Sequence, residues 1–421
     1  MPPGGADTRA RQWAALQQAV HEKFTAPAVC QLLADLQQYE ESQLFESDEA
    51  GQIRLTRRQY EKLTCVPGEF MARRAEHASR SFNAWTTARP ENDFESFRQY
   101  LEKGLELSIE YAEYLGGGEH LADALLDQSD HGLTVAEVRR VFTALREEIV
   151  PLVAQVSSQP PLDDSCLWQH FPMAQQIEFS EDVIRAFGFD FKRGRQDQTH
   201  HPFATKFAHG DVRITTRTRD NHLAGGLFAT LHESGHGMYE QGYNPNYEGM
   251  PLGGQLPPFG GRSASVHESQ SRLWENLVGR SRTFWEYYYP QLQATFPDQL
   301  SHNSLLDFYR AINKSQPSLI RVEADELTYN LHIMIRFELE LYMLVGKLAV
   351  RDLPQAWNAK YEEYLGLIPP DDRDGVADQC RVAYGRQIDE EGAVLVFSEK
   401  LCGNLQSQPG LTSATRPRQG K

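Results

Sequence analysis

The order of apolar and polar residues along the chain predicts a protein built mainly from α-helices. Apolar residues recur at three- and four-residue spacing in residues 9–41, with a break near Pro27, and again in residues 97–115. Residues 331–350 form the most apolar segment, but this segment also contains charged residues. We therefore expect it to be a buried helix and not a membrane span.

Individual start and stop signals refine this prediction. Thr134 and Glu137 have the spacing of a capping box at the start of a helix. Ser180 is expected to cap another helix, which would end near Gly188. The best strand candidate is VRITT at residues 212–216. The pattern therefore predicts a mainly α fold with at most one small β-sheet, and helices before and after the candidate site forming the walls of a cleft.

Changes in composition suggest three parts. Residues 1–200 are expected to be an N-terminal helical part that forms one wall of the cleft, and residues 201–375 a catalytic part. The segment 243–262 is rich in proline and glycine, which predicts a loop between two helical patterns. Residues 376–421 lose the amphipathic period, so we expect a divergent and poorly ordered tail.

Charge and cysteine content exclude several classes of partner and site. Asp and Glu total 58 against 42 Lys and Arg, a formal charge of −16, which disfavours binding to nucleic acid or to an anionic membrane. The five cysteines are scattered and form no Cys-x-x-Cys pair, so a disulfide framework or a cysteine-based zinc site is not expected. The first twenty residues have no signal-peptide core. The cytoplasm is therefore the expected location.

The sequence His-Glu-Ser-Gly-His at residues 232–236 is the strongest chemical signal. If residues 223–241 form a helix, His232 and His236 lie on the same face and can bind one ion. Neutral imidazoles are good zinc ligands. Glu233 then lies beside the ion, where it can act as a general base on the attacking water. Two histidines on an ordinary surface helix remain the simpler alternative.

A catalytic zinc ion needs a third protein ligand and one open position. The extended motif that supplies a histidine ten residues after the first is excluded, because that position is Gly242. Glu268, at the start of the next strong helical pattern, is our candidate ligand. Glu240, one turn beyond His236, is the competing carboxylate. His267 is a further ligand candidate, but a histidine next to a ligand more often supports the ligands than binds the ion.

Together with longer matching segments, these residues resemble the carboxypeptidase Taq family of zinc metallocarboxypeptidases. The resemblance implies a large helical metallopeptidase fold around a deep cleft, and an enzyme that removes single residues from peptide C-termini. It implies a cytoplasmic homodimer that uses zinc, or cobalt or manganese, with His232, His236 and Glu268 as ligands and Glu233 as the base. The matching segments are HPF at 201–203, GDVRITTR at 210–217, HESGHGMYEQG at 232–242, HESQSRLWENLVGRSRTFW at 267–285 and LIRVEADELTYNLHIMIRFELE at 319–340.

Two further family motifs suggest how the substrate is bound. The Asp-x-Arg-x-Thr motif matches Asp211, Arg213 and Thr215, and the Ile-Arg-x-x-Ala-Asp motif places Arg321 and Asp325. An exopeptidase must recognise a terminal carboxylate, and arginine does so with two parallel charge-assisted hydrogen bonds. Arg213 and Arg321 are therefore the candidates, with salt bridges to Asp211 or Asp325 as the structural alternative.

The sequence departs from the family pattern in two places. The loop around residues 255–262 is about six residues longer, which costs little stability because loop-closure entropy grows slowly with length. After Gly375 the family has a Gly-x-x-Gln-Asp-x-His-Trp motif, but here Arg381 and Val382 replace the histidine and tryptophan. A divergent or truncated C-terminus leaves two alternatives to a carboxypeptidase. One is a catalytically impaired isoform that binds metal or peptide, or that dimerises. The other is an oligopeptidase.

Overall fold

The computed structural model describes residues 6–199, 202–254, 263–321 and 324–377. These residues are mainly helical and include one small sheet, as the sequence predicts. The strands are β1 (Gly194–Gln198), β2 (Ala204–Ala208) and β3 (Asp211–Thr216). The helices in chain order are α1 (Ala6–Phe24), α2 (Pro27–Asp35), α3 (Gln37–Ser42), α4 (Asp48–Cys65), α5 (Gly68–Ala88), α6 (Phe94–Leu115), α7 (Asp123–Leu126), α8 (Val135–Ser157), α9 (Met173–Phe187), α10 (Leu223–Gln241), α11 (Ala264–Arg272), α12 (Arg282–Thr295), α13 (Pro297–Leu300), α14 (Leu305–Ile312), α15 (Tyr329–Leu344) and α16 (Leu353–Leu365).

The predicted helix signals are confirmed at two positions. The first helical pattern breaks before Pro27, which becomes the first residue of α2. Proline suits this position because its missing N–H would have no helical partner there. At the start of α8, the Glu137 N–H donates to Thr134 Oγ1 at 3.2 Å, and the Thr134 N–H donates to the Glu137 carboxylate, also at 3.2 Å. This is the reciprocal capping box.

The predicted start of α9 is wrong, but its end is confirmed. The helix begins at Met173, directly after Pro172, and Ser180 lies buried in its interior. The Ser180 hydroxyl donates to the Ile177 carbonyl within the helix instead of capping a helix end. Gly188 ends the helix in the left-handed conformation, with φ of 116°.

The predicted strand at residues 212–216 is the central strand of a three-stranded sheet with the order β1-β3-β2. It pairs in parallel with β1 and antiparallel with β2. The buried Thr216 hydroxyl donates to the Gly226 carbonyl, and Thr230 donates to Thr216. These bonds connect the sheet to α10, the helix that carries the histidine pair.

The described residues divide into two compact units. The first contains residues 6–154, 244–254 and 324–377 together with 316–321. Part of its core is the cluster Val66, Phe70, Leu107 and Tyr111. Its helix α15 is buried along most of its length, as predicted for the most apolar segment. No helix among the described residues is both long and apolar enough to cross a membrane.

The second unit contains residues 155–199, 202–243 and 263–315. Its larger core includes Phe171, Ile184, Leu231, Trp285 and Phe308. The predicted part boundaries after residues 200 and 375 remain a prediction. The longer loop at 255–262 and the tail from residue 378, with Arg381 and Val382, lie outside the described residues.

Candidate metal centre

Helix α10 has the bounds that the sequence predicts and presents both histidines from one face. Its buried apolar residues include Leu227 and Leu231, which anchor the opposite face in the core. The rings of His232 and His236, one turn apart, have centroids separated by 5.0 Å. His236 is buried and His232 half-buried, so the pair lies at the edge of the unit's interior.

Helix α11 brings Glu268 to the two imidazoles. The Ser263 hydroxyl caps this helix by accepting from the Val266 N–H. Glu268 then places Oε1 at 3.5 Å from His232 Nε2 and Oε2 at 3.0 Å from His236 Nε2. Among the described residues, ligand atoms of His232, His236 and Glu268 lie within 4.8 Å of one another. The predicted set of three side chains is therefore brought together.

The spacing of these donors fits a single zinc-sized ion. Tetrahedral coordination with bonds of about 2.0–2.1 Å separates the ligand atoms by about 3.3 Å. The separations of the Glu268 oxygens from the two imidazoles, 3.5 Å and 3.0 Å, lie on either side of this value. Two imidazoles and one carboxylate also form the donor set of known catalytic zinc sites. The geometry and the chemistry of the donors agree.

A second carboxylate, that of Glu275, contacts His232 at Nδ1, the ring nitrogen that does not face Glu268. Glu275 Oε2 lies 2.8 Å from His232 Nδ1 and 3.2 Å from Arg272 Nη1. Burial lowers the pKa of His232, but Glu268, Glu275 and Glu233 outweigh burial and raise it to about 9. Burial likewise raises the pKa of Glu275, but Arg272, His232 and Arg280 lower it to about 2. The three carboxylates around His232 therefore favour a positive charge at this imidazole.

The other predicted neighbours take distinct places. Glu233 is 6% exposed, and it is close enough to His232 to help raise the pKa of that imidazole. Glu240 Oε1 lies 3.0 Å from His267 Nε2, and Lys206 Nζ lies 3.6 Å from Glu240 Oε2. His267 stacks on His236 with ring centroids 4.4 Å apart. Glu268 therefore belongs to the candidate ligand set, whereas Glu240 supports the neighbouring histidine.

Sequence reasoning missed Arg272 and Glu275. Arg272 Nε lies 3.4 Å from Glu268 Oε1, so this arginine bridges the two carboxylates. A signal for them was present, because residues 268, 272 and 275 have the i, i+4, i+7 spacing of one helix face.

Comparison with known proteins agrees with this site. The sequence model described as carboxypeptidase Taq (M32) metallopeptidase matches residues 1–379. Thermostable carboxypeptidase 1 of Thermus thermophilus is 40% identical over 400 residues, covering 91% of this chain and 76% of that protein. Carboxypeptidase 1 of Bacillus subtilis is 38% identical over 386 residues, covering 91% of this chain and 75% of that protein. The chain belongs to the carboxypeptidase Taq (M32) family. It is a metallocarboxypeptidase with a His-His-Glu metal site.

A solved M32 structure supports the same fold. The M32 carboxypeptidase from Deinococcus radiodurans R1 superimposes with a TM-score of 0.86 at 43% identity. The match covers 98% of this chain and 82% of that chain. The mainly helical M32 fold expected from the resemblance is therefore confirmed.

The M32 motif Asp-x-Arg-x-Thr lies on β3. Arg213 donates from Nε and Nη2 to the two carboxylate oxygens of Asp211, both at 2.8 Å. This bidentate contact is the salt bridge that the sequence left open as the structural alternative. The Thr215 hydroxyl bonds the main chain of Phe203, accepting from its N–H and donating to its carbonyl. A substrate role for these three residues remains a prediction.

The second M32 motif lies in the other compact unit. Arg321 Nη1 donates to the Tyr329 hydroxyl at 2.7 Å. Among the described residues, Arg321 forms no ion pair with a carboxylate, in contrast to Arg213. Asp325 accepts from the main-chain N–H groups of Leu327 and Thr328. Asp325 thus fixes the turn before α15.

Proposed function

We propose that this M32 metallocarboxypeptidase hydrolyses the last peptide bond of peptides with a free C-terminus, using zinc held by His232, His236 and Glu268. The observation that carries the proposal is the convergence of these three side chains within 4.8 Å. When bound, a divalent ion supplies Lewis-acid polarisation of the scissile carbonyl and activates water at neutral pH. Cobalt and manganese are the alternative ions.

Glu233 is the proposed general base. It follows His232 directly on α10 and is not one of the three converging ligands. Its carboxylate accepts a proton from the attacking water as the new carbon–oxygen bond forms. When the carbon–nitrogen bond breaks, Glu233 returns that proton to the leaving amine. One water is consumed, and the products are a free amino acid and a peptide shortened by one residue.

Arg321 is the stronger candidate for binding the terminal carboxylate. Its described contacts are to the hydroxyl and the ring face of Tyr329, and neither neutralises its charge. Guanidinium groups bind carboxylates through two parallel hydrogen bonds. Arg213, with Asp211 and Thr215, is the second candidate, but two of its donors already bind Asp211.

We further propose a cytoplasmic homodimer. The assembly follows from the family resemblance, and light scattering on the purified chain tests it. Cys30 and Cys65 are free and exposed, which favours a reducing compartment.

One assay tests the proposed reaction. The metal is removed with a chelator, and zinc, cobalt or manganese is added back before incubation with two matched peptides, one with a free and one with an amidated C-terminus. We expect stepwise release of single amino acids from the free peptide alone. Internal cleavage of both peptides would indicate an oligopeptidase. No cleavage with any ion, despite stoichiometric metal binding, would support the impaired isoform.

A further inference from the structure

The helix that carries Glu268 changes its geometry just past the site. After Arg272, α11 continues into a π-helical turn, Leu273–Val278. The Gly279 N–H donates to the Trp274 carbonyl at 2.9 Å, a bond that spans five residues instead of four. π-Helical turns are rare and occur often at functional sites. The third residue of this turn is Glu275.

The turn places Glu275 beside Nδ1 of His232, the ring nitrogen that does not face Glu268. The Glu275 side chain is only 16% exposed, and Oε2 lies 2.8 Å from His232 Nδ1. Arg272 contacts the same oxygen at 3.2 Å, and Arg280 Nη2 lies 3.9 Å from Oε1. The two arginines therefore hold the buried carboxylate in place against His232.

This contact fixes which nitrogen of His232 faces the ion. An ionised carboxylate can only accept hydrogen bonds, so Nδ1 of His232 carries the proton and donates. Nε2 is then the nitrogen left to bind the ion, and it lies 3.5 Å from Glu268 Oε1. Carboxylates that bind the distal nitrogen of a ligand histidine orient the ring and increase its basicity.

The second histidine lacks this support. Among the described residues, His236 Nδ1 has no hydrogen-bond partner, and the ring stacks on His267 instead. The two ligand imidazoles are thus held by different means. Loss of the Glu275 contact would release the ring of His232 while leaving His236 in place.

We propose that Glu275, placed by the π-helical turn and held by Arg272 and Arg280, is a positioning residue that aligns His232 for metal binding. The inference rests on the metal site of the proposed function. Carboxylates in this position typically contribute about 10–100-fold to metal affinity. We expect Glu275→Ala to weaken zinc binding by about that factor, and Glu275→Gln, which keeps an acceptor oxygen but loses the charge, to weaken it less.

The experiment measures zinc affinity on the full chain by competition with a chromogenic chelator. Glu286→Gln is the matched control, because Glu286 is an exposed carboxylate on α12 that pairs with Arg282. Thermal unfolding of each zinc-free variant checks that it is folded. In the zinc-loaded protein, NMR of labelled histidine should show an exchange-protected Nδ1–H that persists in Glu275→Gln and disappears in Glu275→Ala.

The outcomes separate this inference from the proposed function. A folded Glu275→Ala chain that binds zinc within twofold of the wild type would overturn the inference and leave the reaction untouched. If Glu275→Ala does not fold, a zinc affinity of Glu275→Gln within twofold of the wild type, against a clear loss in His232→Ala, would overturn it equally. Zinc binding that depends on Glu275 in a chain that cleaves no peptide would support the inference and contradict the proposed reaction.

Discussion

Gly235 of α10 lies so close to Ser271 of α11 that a Cβ atom on Gly235 would be 2.6 Å from the Ser271 Cα. The same atom would lie 2.5 Å from the Gln270 carbonyl oxygen. Both contacts are to the backbone, which cannot move aside as a flexible side chain can. Glycine at this position therefore permits the helix separation at which Glu268 reaches both histidines.

We predict that Gly235→Ala weakens metal binding although it replaces none of the three ligand residues. The added methyl group must push α11 away from α10, and overpacking of this kind costs about 1–3 kcal/mol. Because Glu268 moves with α11, zinc affinity should fall together with the free energy of unfolding. Zinc titration of the metal-free protein and thermal unfolding measure the two effects.

Gly225→Ala provides the control on the same helix. Gly225 is exposed near the start of α10, and a Cβ there would contact only the His222 ring, at 3.2 Å and 3.7 Å. This variant should bind zinc as the wild type does. Equal zinc affinities in the two alanine variants would show that the close approach at Gly235 does not determine the site.

Glu233→Gln should separate metal binding from turnover. The amide keeps the size of the side chain but cannot accept a proton from water. General-base catalysis contributes about 10²–10⁴-fold, so kcat should fall by that order. Zinc content, measured by mass spectrometry, should stay at the wild-type level because the three converging ligands are unchanged. Wild-type kcat in a zinc-loaded Glu233→Gln enzyme would refute the role of Glu233, and the exposed Glu286→Gln variant serves as the control.

Replacement of the two arginines should show which one binds the substrate. Loss of a hydrogen-bonded charge contact reduces kcat/KM by about 10–100-fold, the effect expected for Arg321→Met. Arg321→Lys should recover part of this loss by restoring the charge without the bidentate geometry. Arg213→Met should have a smaller effect, because Arg213 already binds Asp211. Steady-state assays on one blocked dipeptide measure kcat/KM for each variant. A larger loss in Arg213→Met than in Arg321→Met would assign binding of the terminal carboxylate to Arg213.

The histidine pair could be predicted from the sequence because the information that defines it is local. The two histidines follow helical spacing, and α10 has the predicted bounds, Leu223–Gln241. The start of α9 was mispredicted because serine is common at helix caps. Here the Ser180 hydroxyl instead donates to a carbonyl within the helix. Local hydrogen-bonding residues favour caps but do not require them.

Features that depend on distant pairing were not predictable. The strands β1 and β2 read GRQDQ and ATKFA, without the alternation that indicates a strand. They are held by pairing with β3, so tertiary context determines their structure. Glu275 likewise gains its role from His232, which is distant in sequence, through a π-helical turn that no apolar period reveals.

We predict that His332 on α15 makes the stability of the folded state decrease at acid pH. Its Nδ1 lies 2.8 Å from the Tyr361 hydroxyl, and its Nε2 has no hydrogen-bond partner among the described residues. Burial, together with Arg321 and Arg336, lowers the pKa of His332 from 6.5 to about 3. Below pH 6.5 the unfolded chain therefore binds a proton that the folded chain does not bind.

The folded state should accordingly lose stability as the pH falls from 6.5 to about 3, by at most about 5 kcal/mol from this residue. His332→Gln keeps a polar partner for Tyr361 and removes the titration, so its free energy of unfolding should depend less on pH over this range. Urea unfolding at intervals between pH 7 and 4 measures the difference. His170→Gln, at an exposed histidine, should retain the full dependence of the wild type. Parallel pH profiles for the wild type and His332→Gln would show that the buried imidazole does not resist protonation.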